Sequence, residues 1–170
     1  MSTAALTTSI HQVSAAYRHK LEQAEEQRFQ VSPPSGGWSY SEVYSHIFDL
    51  SLLSLQQLDK CLNGNGEAGE TALITKLILF FGRFPPAMKF KVPKSLESRV
   101  KKISKAEAER LINEFLKELG TYTPRIEHAN PNSKAPHPRL GFLNASQWLR
   151  FIEIHLKHHL KQLERIDKRF

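Results

Sequence analysis

Apolar positions recur at intervals of three and four residues in several separate stretches of this chain, the spacing of helices that bury one face. The last stretch is the clearest. Trp148, Ile152, His155, His159, Leu163 and Ile166 form a single inward stripe on a helix expected over about Ala145 to Lys168. Arg150, Glu153, Lys157, Lys161, Glu164 and Lys168 fall on the side that the same period leaves to solvent. Asn144 with Gln147 at the third following position caps its start. An earlier stripe of Val43, His46, Ile47, Leu50, Leu53, Leu58 and Leu62 predicts a second long helix. A Ser39–Glu42 capping box opens it, Trp38 is placed for a hydrophobic staple, and Asn63-Gly64-Asn65-Gly66 closes it.

Three more helices follow from the same period. The first covers about Thr3 to Phe29, with Ile10, Val13, Tyr17, Leu21 and Ala24 on one side, and stops before Ser32-Pro33-Pro34-Ser35-Gly36-Gly37. A short apolar helix from Thr71 to Phe81 breaks at Phe84-Pro85-Pro86. Ser104 and Glu107 make another capping box, opening a helix through Leu111, Ile112, Phe115, Leu116 and Leu119 to Gly120. The loop from Thr121 to Gly141 holds Pro124, Pro131, Pro136 and Pro138. No strand is expected, and Phe90 to Val100 carries no clear pattern. The fold class is therefore all-α: a helical bundle with an extra short helix and long Pro-rich loops, expected as one domain over residues 1–170. No glycine-rich phosphate loop is present, which argues against nucleotide-dependent chemistry.

Composition is that of an ordinary globular protein, 40% apolar and 24% charged. Met1 to His11 shows neither a basic leader nor a long apolar core, so no secretory signal is expected. The longest apolar run, Leu77 to Phe81, is far short of a membrane span. Cys61 is the single cysteine, which excludes an intrachain disulfide and fits a reducing, cytoplasmic setting. It reads as a plain buried thiol. Net charge is +7, concentrated between Lys89 and Lys105, where seven lysines or arginines face one acid, Glu97. Without aromatic interleaving or a recognisable module, this stretch reads as a solvated loop, and nucleic acid is not an expected partner.

The two histidines on the last stripe are the chemically informative residues. At i and i+4 they stand about 6 Å apart along the axis, so both rings can reach one ion. One inward histidine reads as a neutral, hydrogen-bonded core residue; two on one stripe point to a metal. His46, on the inward stripe of the second helix, supplies a third. Three neutral imidazoles leave acceptors unpaired unless an ion takes them, at about 2.0 to 2.1 Å, with room left for water and substrate. Leu156 after His155 excludes the zincin pattern, and no histidine has glutamate three residues before it, which excludes ferritin-like di-iron sites. Imidazole suits zinc, nickel, iron and copper alike. Asp49, one turn beyond His46, stands as an orienting group, a general base or an exposed carboxylate. His137, ahead of the last helix, is placed to approach the mouth of the site. His158 lies toward the flank. Tyr40 and Tyr44 read as packing residues, and His11, His19 and His128 as surface positions.

Two motifs carry a resemblance. Gly37-Trp38-Ser39 followed by His46, together with His155-Leu156-Lys157-His158-His159-Leu160-Lys161-Gln162-Leu163, resembles the DinB-like (DinB/YfiT) family. His137-Pro138-Arg139-Leu140-Gly141-Phe142-Leu143 with Gln147-Trp148 is similar to one branch of it. The resemblance implies an up-down-down-up four-helix bundle and a divalent metal held by His46, His155 and His159, with zinc or nickel expected first and iron or manganese next. Some members of that family activate a low-molecular-weight thiol on the metal, as transferases or an isomerase. Others are classed as hydrolases, many have no assigned reaction, and dimers occur. Asp49 and His137 are the candidate catalytic residues. The chain departs from simple members in an insertion from Gly66 to Lys102. The expected function is a metal-dependent hydrolase or thiol-dependent transferase acting on a small molecule; the alternative is a non-catalytic metal-binding module of a stress-response kind.

Overall fold

The computed structural model describes residues 1–85 and 97–170. Along the chain it runs α1 (Thr3–Gln23), α2 (Glu26–Phe29), α3 (Tyr40–Leu62), α4 (Leu73–Phe81), α5 (Lys105–Ile126), β1 (Lys134–His137), β2 (Gly141–Asn144) and α6 (Ala145–Asp167). The four long helices start where a short polar side chain accepts an amide that the first turn leaves without a partner. Ser2 accepts from the Ala5 N–H at 3.2 Å, Ser39 from Glu42 at 3.3 Å, Ser104 from Glu107 at 3.1 Å and Asn144 from Gln147 at 3.0 Å. The reciprocal half of the capping box closes at Ser39 and Asn144. At Ser104 it does not: the Glu107 carboxylate instead lies 3.9 Å from Lys101 Nζ.

Contacts between the helices fix their directions. Ser9 donates to Glu153 at 2.7 Å, Tyr17 to the Leu156 carbonyl at 2.9 Å and Lys20 to Asp167 at 3.0 Å, so α1 and α6 run in parallel. Tyr40 meets Asp167 while Cys61 meets the Leu143 carbonyl, so α3 runs against α6. Ser41 bonds the Ile103 carbonyl and Asp59 lies 3.5 Å from Arg125, so α3 and α5 are parallel. The bundle is up-down-down-up, as the resemblance implied. Its centre is aromatic: Tyr17 packs edge-on against Tyr44 and Phe48, with ring centroids 5.4 and 5.1 Å away. Burial pushes the Tyr17 and Tyr44 hydroxyls up, and the latter donates to the Tyr17 carbonyl at 2.7 Å. Cys61 is buried as expected, its thiol pushed up to about 11.

Several boundaries differ from expectation. The first helix ends at Gln23 and a separate turn, α2, carries the buried Phe29. α5 continues past Gly120 and through Pro124 to Ile126, whose buried side chain anchors the extra turn. Inside the proline-rich loop lies an antiparallel hairpin pairing Lys134 with Asn144 and His137 with Gly141. Glu67 and Lys134 exchange backbone hydrogen bonds at 2.7 and 3.2 Å, and the Phe142 N–H reaches the Glu70 carbonyl at 3.0 Å, so the segment before α4 extends the same small sheet. Gly141 sits at φ +75°, where a Cβ would also meet the Glu70 carbonyl at 2.8 Å, so this turn requires glycine. α4 is tied to the hairpin by Thr75, which donates to the Leu140 carbonyl at 2.8 Å. No described helix is long and apolar enough to cross a membrane.

The largest correction concerns Glu153, expected on the solvent side of α6. It is fully buried. α1 and α4 both pack on that flank, and the carboxylate is held by Ser9 at 2.7 Å, Lys157 at 2.5 Å and Arg150, which also donates to the Leu79 carbonyl at 3.1 Å. Burial pushes this carboxyl up, but the hydrogen bonds from Lys157 and Ser9 and the neighbouring cations more than offset it, holding the group below the usual range. The basic stretch lies partly outside the described residues: Lys89, Lys91 and Lys94 belong to residues 86–96. Of the rest, Arg99 pairs with Asp49, Lys101 approaches Glu107 and Lys105 donates to the Ala24 carbonyl, so three of its cations are engaged within the protein.

Candidate metal centre

Because α3 and α6 are antiparallel, the middle of one faces the middle of the other, and the histidines of the two stripes meet. The His46 ring lies 5.4 Å from that of His155 and 4.7 Å from that of His159, and the latter two are 4.6 Å apart. One ring nitrogen from each lies within 4.8 Å of the others. His155 Nε2 and His159 Nε2 face each other at 3.0 Å. All three predicted ligands are therefore brought together.

The rings are uncharged at neutral pH. Burial drives His46 down to about 4, partly countered by the Asp49 charge and reinforced by His158. Burial, together with neighbouring imidazoles, also holds His155 and His159 well below the ordinary histidine value. Three neutral imidazoles, each with one lone pair and with ring nitrogens converging within 4.8 Å, form a set of up to three ligand atoms aimed at one point. A divalent ion satisfies such a set, so the residues present fit the group.

Aromatic side chains wall the centre. The Trp38 ring is 4.8 Å from His46 and stacks at 6.3 Å over His159. Phe151 stacks on His155 at 5.3 Å, and Phe84 meets His158 edge-on at 5.2 Å. Together they border a cavity of about 930 Å³ that also takes in Trp148, His137 and Arg139. Trp38, placed by the sequence for a staple, also forms part of the cavity wall.

His137 reaches the cavity rim as expected, its ring 4.7 Å from that of Phe151. Its Nδ1 accepts the Arg139 backbone N–H at 3.2 Å, and burial, with the Arg139 charge, lowers it to about 4. The ring is thus neutral with its proton on Nε2. Asp49 is placed differently. Three residues past His46, its side chain turns about 60° round the helix, and Arg99 grips it with two hydrogen bonds of 2.5 and 2.7 Å. It is not among the residues that line the cavity, because the ion pair draws the carboxylate to the flank. His158, expected toward the flank, borders the cavity with its ring 5.1 Å from that of His159, while His11, His19 and His128 are exposed.

Three contributors escaped the pattern of the sequence. Trp38 precedes a helix cap, a position that reads as local packing, and Phe84 sits in a proline turn. Gln162 did carry a signal: it lies three residues after His159, one turn on, and its side-chain oxygen is 2.7 Å from His159 Nδ1.

Fold and triad together define a four-helix bundle with an internal histidine site. The family model of the DinB superfamily matches residues 9–163, and the chain belongs to that superfamily. No curated protein matches the sequence. Among solved structures, the four-helix bundle protein TT2238 is similar at 18% identity and TM-score 0.63, covering 96% of this chain and 99% of that one. YfiT from Bacillus subtilis, a probable metal-dependent hydrolase with an unusual four-helix bundle topology, is similar at 14% identity and TM-score 0.64, covering 99% of this chain and 89% of that one. A mycothiol-dependent maleylpyruvate isomerase is similar at 11% identity and TM-score 0.66, covering 96% of this chain and 61% of that one. At these identities the likeness carries the fold alone.

Proposed function

We propose that this chain is a divalent-metal-dependent enzyme acting on a small molecule, with His46, His155 and His159 as the protein ligands. The observation that carries the reading is the convergence of three uncharged imidazoles on an open, aromatic-walled cavity. A structural ion is normally enclosed by four protein ligands, whereas three imidazoles beside a cavity leave a position facing substrate. When bound, zinc, nickel or a similar ion supplies a Lewis acid that brings the pKa of a water or a low-molecular-weight thiol toward neutrality.

The chain's own groups do the rest. Trp38, Phe84, Trp148 and Phe151 hold an apolar body and exclude water from it. His137, neutral and with Nδ1 already engaged, offers an Nε2–H donor to a substrate oxygen; it acts as a hydrogen-bond donor, not as a base. Arg139 places a positive charge at the same rim for an anionic group on the substrate or thiol. The two enzyme-like structural neighbours, a hydrolase and a thiol-dependent isomerase, span the two chemistries that such a site supports.

Elemental analysis of the purified protein, paired with a screen of ester and amide hydrolysis and of small-thiol transfer, tests this. The expected result is one divalent ion per chain and an activity lost on chelation and restored by the ion. Chelation that lowers the melting temperature while no reaction is ever lost would contradict it and leave a non-catalytic metal-binding module.

A further inference from the structure

Hydrogen bonding within the triad is lopsided. Among the described residues, neither His46 nor His155 has a hydrogen-bond partner outside the three histidines; Trp38 packs against the one, and Phe151 and Phe84 against the other. His159 differs. Its Nδ1 lies 2.7 Å from Gln162 Oε1, and its Nε2 faces His155 Nε2 at 3.0 Å. A carboxamide oxygen only accepts, so a contact of this length puts the ring proton on Nδ1 and leaves Nε2 as a bare lone pair. That lone pair is on the side where the three rings converge. The reversed arrangement, with the Gln162 NH₂ donating to Nδ1, would put the proton on Nε2, between the two histidines, in the space an ion would take.

We propose that Gln162 is a positioning residue: it selects the Nδ1–H form of His159 and so keeps the third ligand atom of the centre free for a divalent ion. This rests on the metal reading of the site. Gln162 is well placed for the task, since it lies one turn along the same helix as its target and also borders the cavity.

The test compares wild type, Gln162→Leu and Gln162→Glu, with circular dichroism confirming that each is folded. Two readouts are needed: zinc affinity by competition with a chelating dye, and histidine ¹⁵N shifts of the metal-free protein. The leucine variant is expected to bind zinc 10- to 100-fold more weakly, whereas the glutamate variant, whose carboxylate also accepts from Nδ1, should keep or exceed wild-type affinity. In metal-free wild type, His159 should show a protonated Nδ1 and a bare Nε2, and the leucine variant should shift toward the Nε2–H form. Unchanged affinity in Gln162→Leu, an equal loss in Gln162→Glu, or a wild-type proton on Nε2 would each overturn this inference alone. A wild type that takes up no zinc would overturn the metal reading, and this inference with it.

Discussion

Replacing His155 with alanine is expected to abolish tight binding of a divalent ion while leaving the bundle folded. His155 is one of the three converging rings, with its Nε2 at 3.0 Å from that of His159 and its ring 5.4 Å from that of His46. Structural zinc sites with four ligands release about 12 kcal/mol on binding, so each ligand accounts for about 3 kcal/mol, and losing one weakens binding roughly 150-fold. The ring borders an existing cavity, so its removal enlarges open space instead of creating a sealed void, and the metal-free variant should lose only about 1 to 2 kcal/mol. Calorimetry separates the two effects. At a hundred times the dissociation constant, an ion adds about 2.7 kcal/mol to wild-type stability, a rise of about 5 to 10 °C for a chain of this length. In the variant that rise should vanish at the same ion concentration. An equal rise in both proteins would remove His155 from the ligand set.

Replacing Glu153 with alanine is expected to cost about 3 kcal/mol, lowering the melting temperature by about 6 to 12 °C. The carboxylate is fully buried beneath α1 and α4, and its loss removes a shared acceptor from Ser9, Arg150 and Lys157 at once. The figure sits at the low end for a broken buried pair because the two cations keep some water, their side chains being 19% and 45% exposed. The effect is pH-dependent, with a definite sign. The folded-state pKa lies below the unfolded one, so the contribution is complete above the unfolded value of about 4.3 and is lost as pH falls through the lowered folded value. Urea denaturation should therefore give a constant difference between wild type and variant near neutrality and a shrinking one in acid. A difference that persists unchanged into strong acid, or that is absent at pH 7, would contradict this.

The contrast between these two residues shows what could be read from the chain and what could not. His155 and His159 were legible because they interrupt an apolar stripe, where only a polar partner or an ion explains them; His46 was legible for the same reason. Period alone predicted a helical bundle, but the order of helix directions came from the family resemblance. Glu153 was illegible. Its position on the helix is polar by pattern, and its burial depends on α1 and α4 packing over a flank that periodicity assigns to water. The hairpin of β1 and β2 escaped because each strand is four residues long, one contains Pro136, and neither alternates. Asp49 shared the helix side of His46 in projection, yet an arginine fifty positions away in sequence draws it to the flank. Trp38 and Phe84 are walls of the centre only because α3, α6 and the turn after α4 meet there.

X-ray absorption at the metal edge of zinc-loaded protein tests the assignment of the centre most directly. Three imidazole nitrogens at about 2.0 to 2.1 Å are predicted, with the imidazole scattering reduced by one ring in His46→Ala, His155→Ala or His159→Ala. A first shell of oxygens without imidazole scattering, or a spectrum that none of the three substitutions alters, would contradict it.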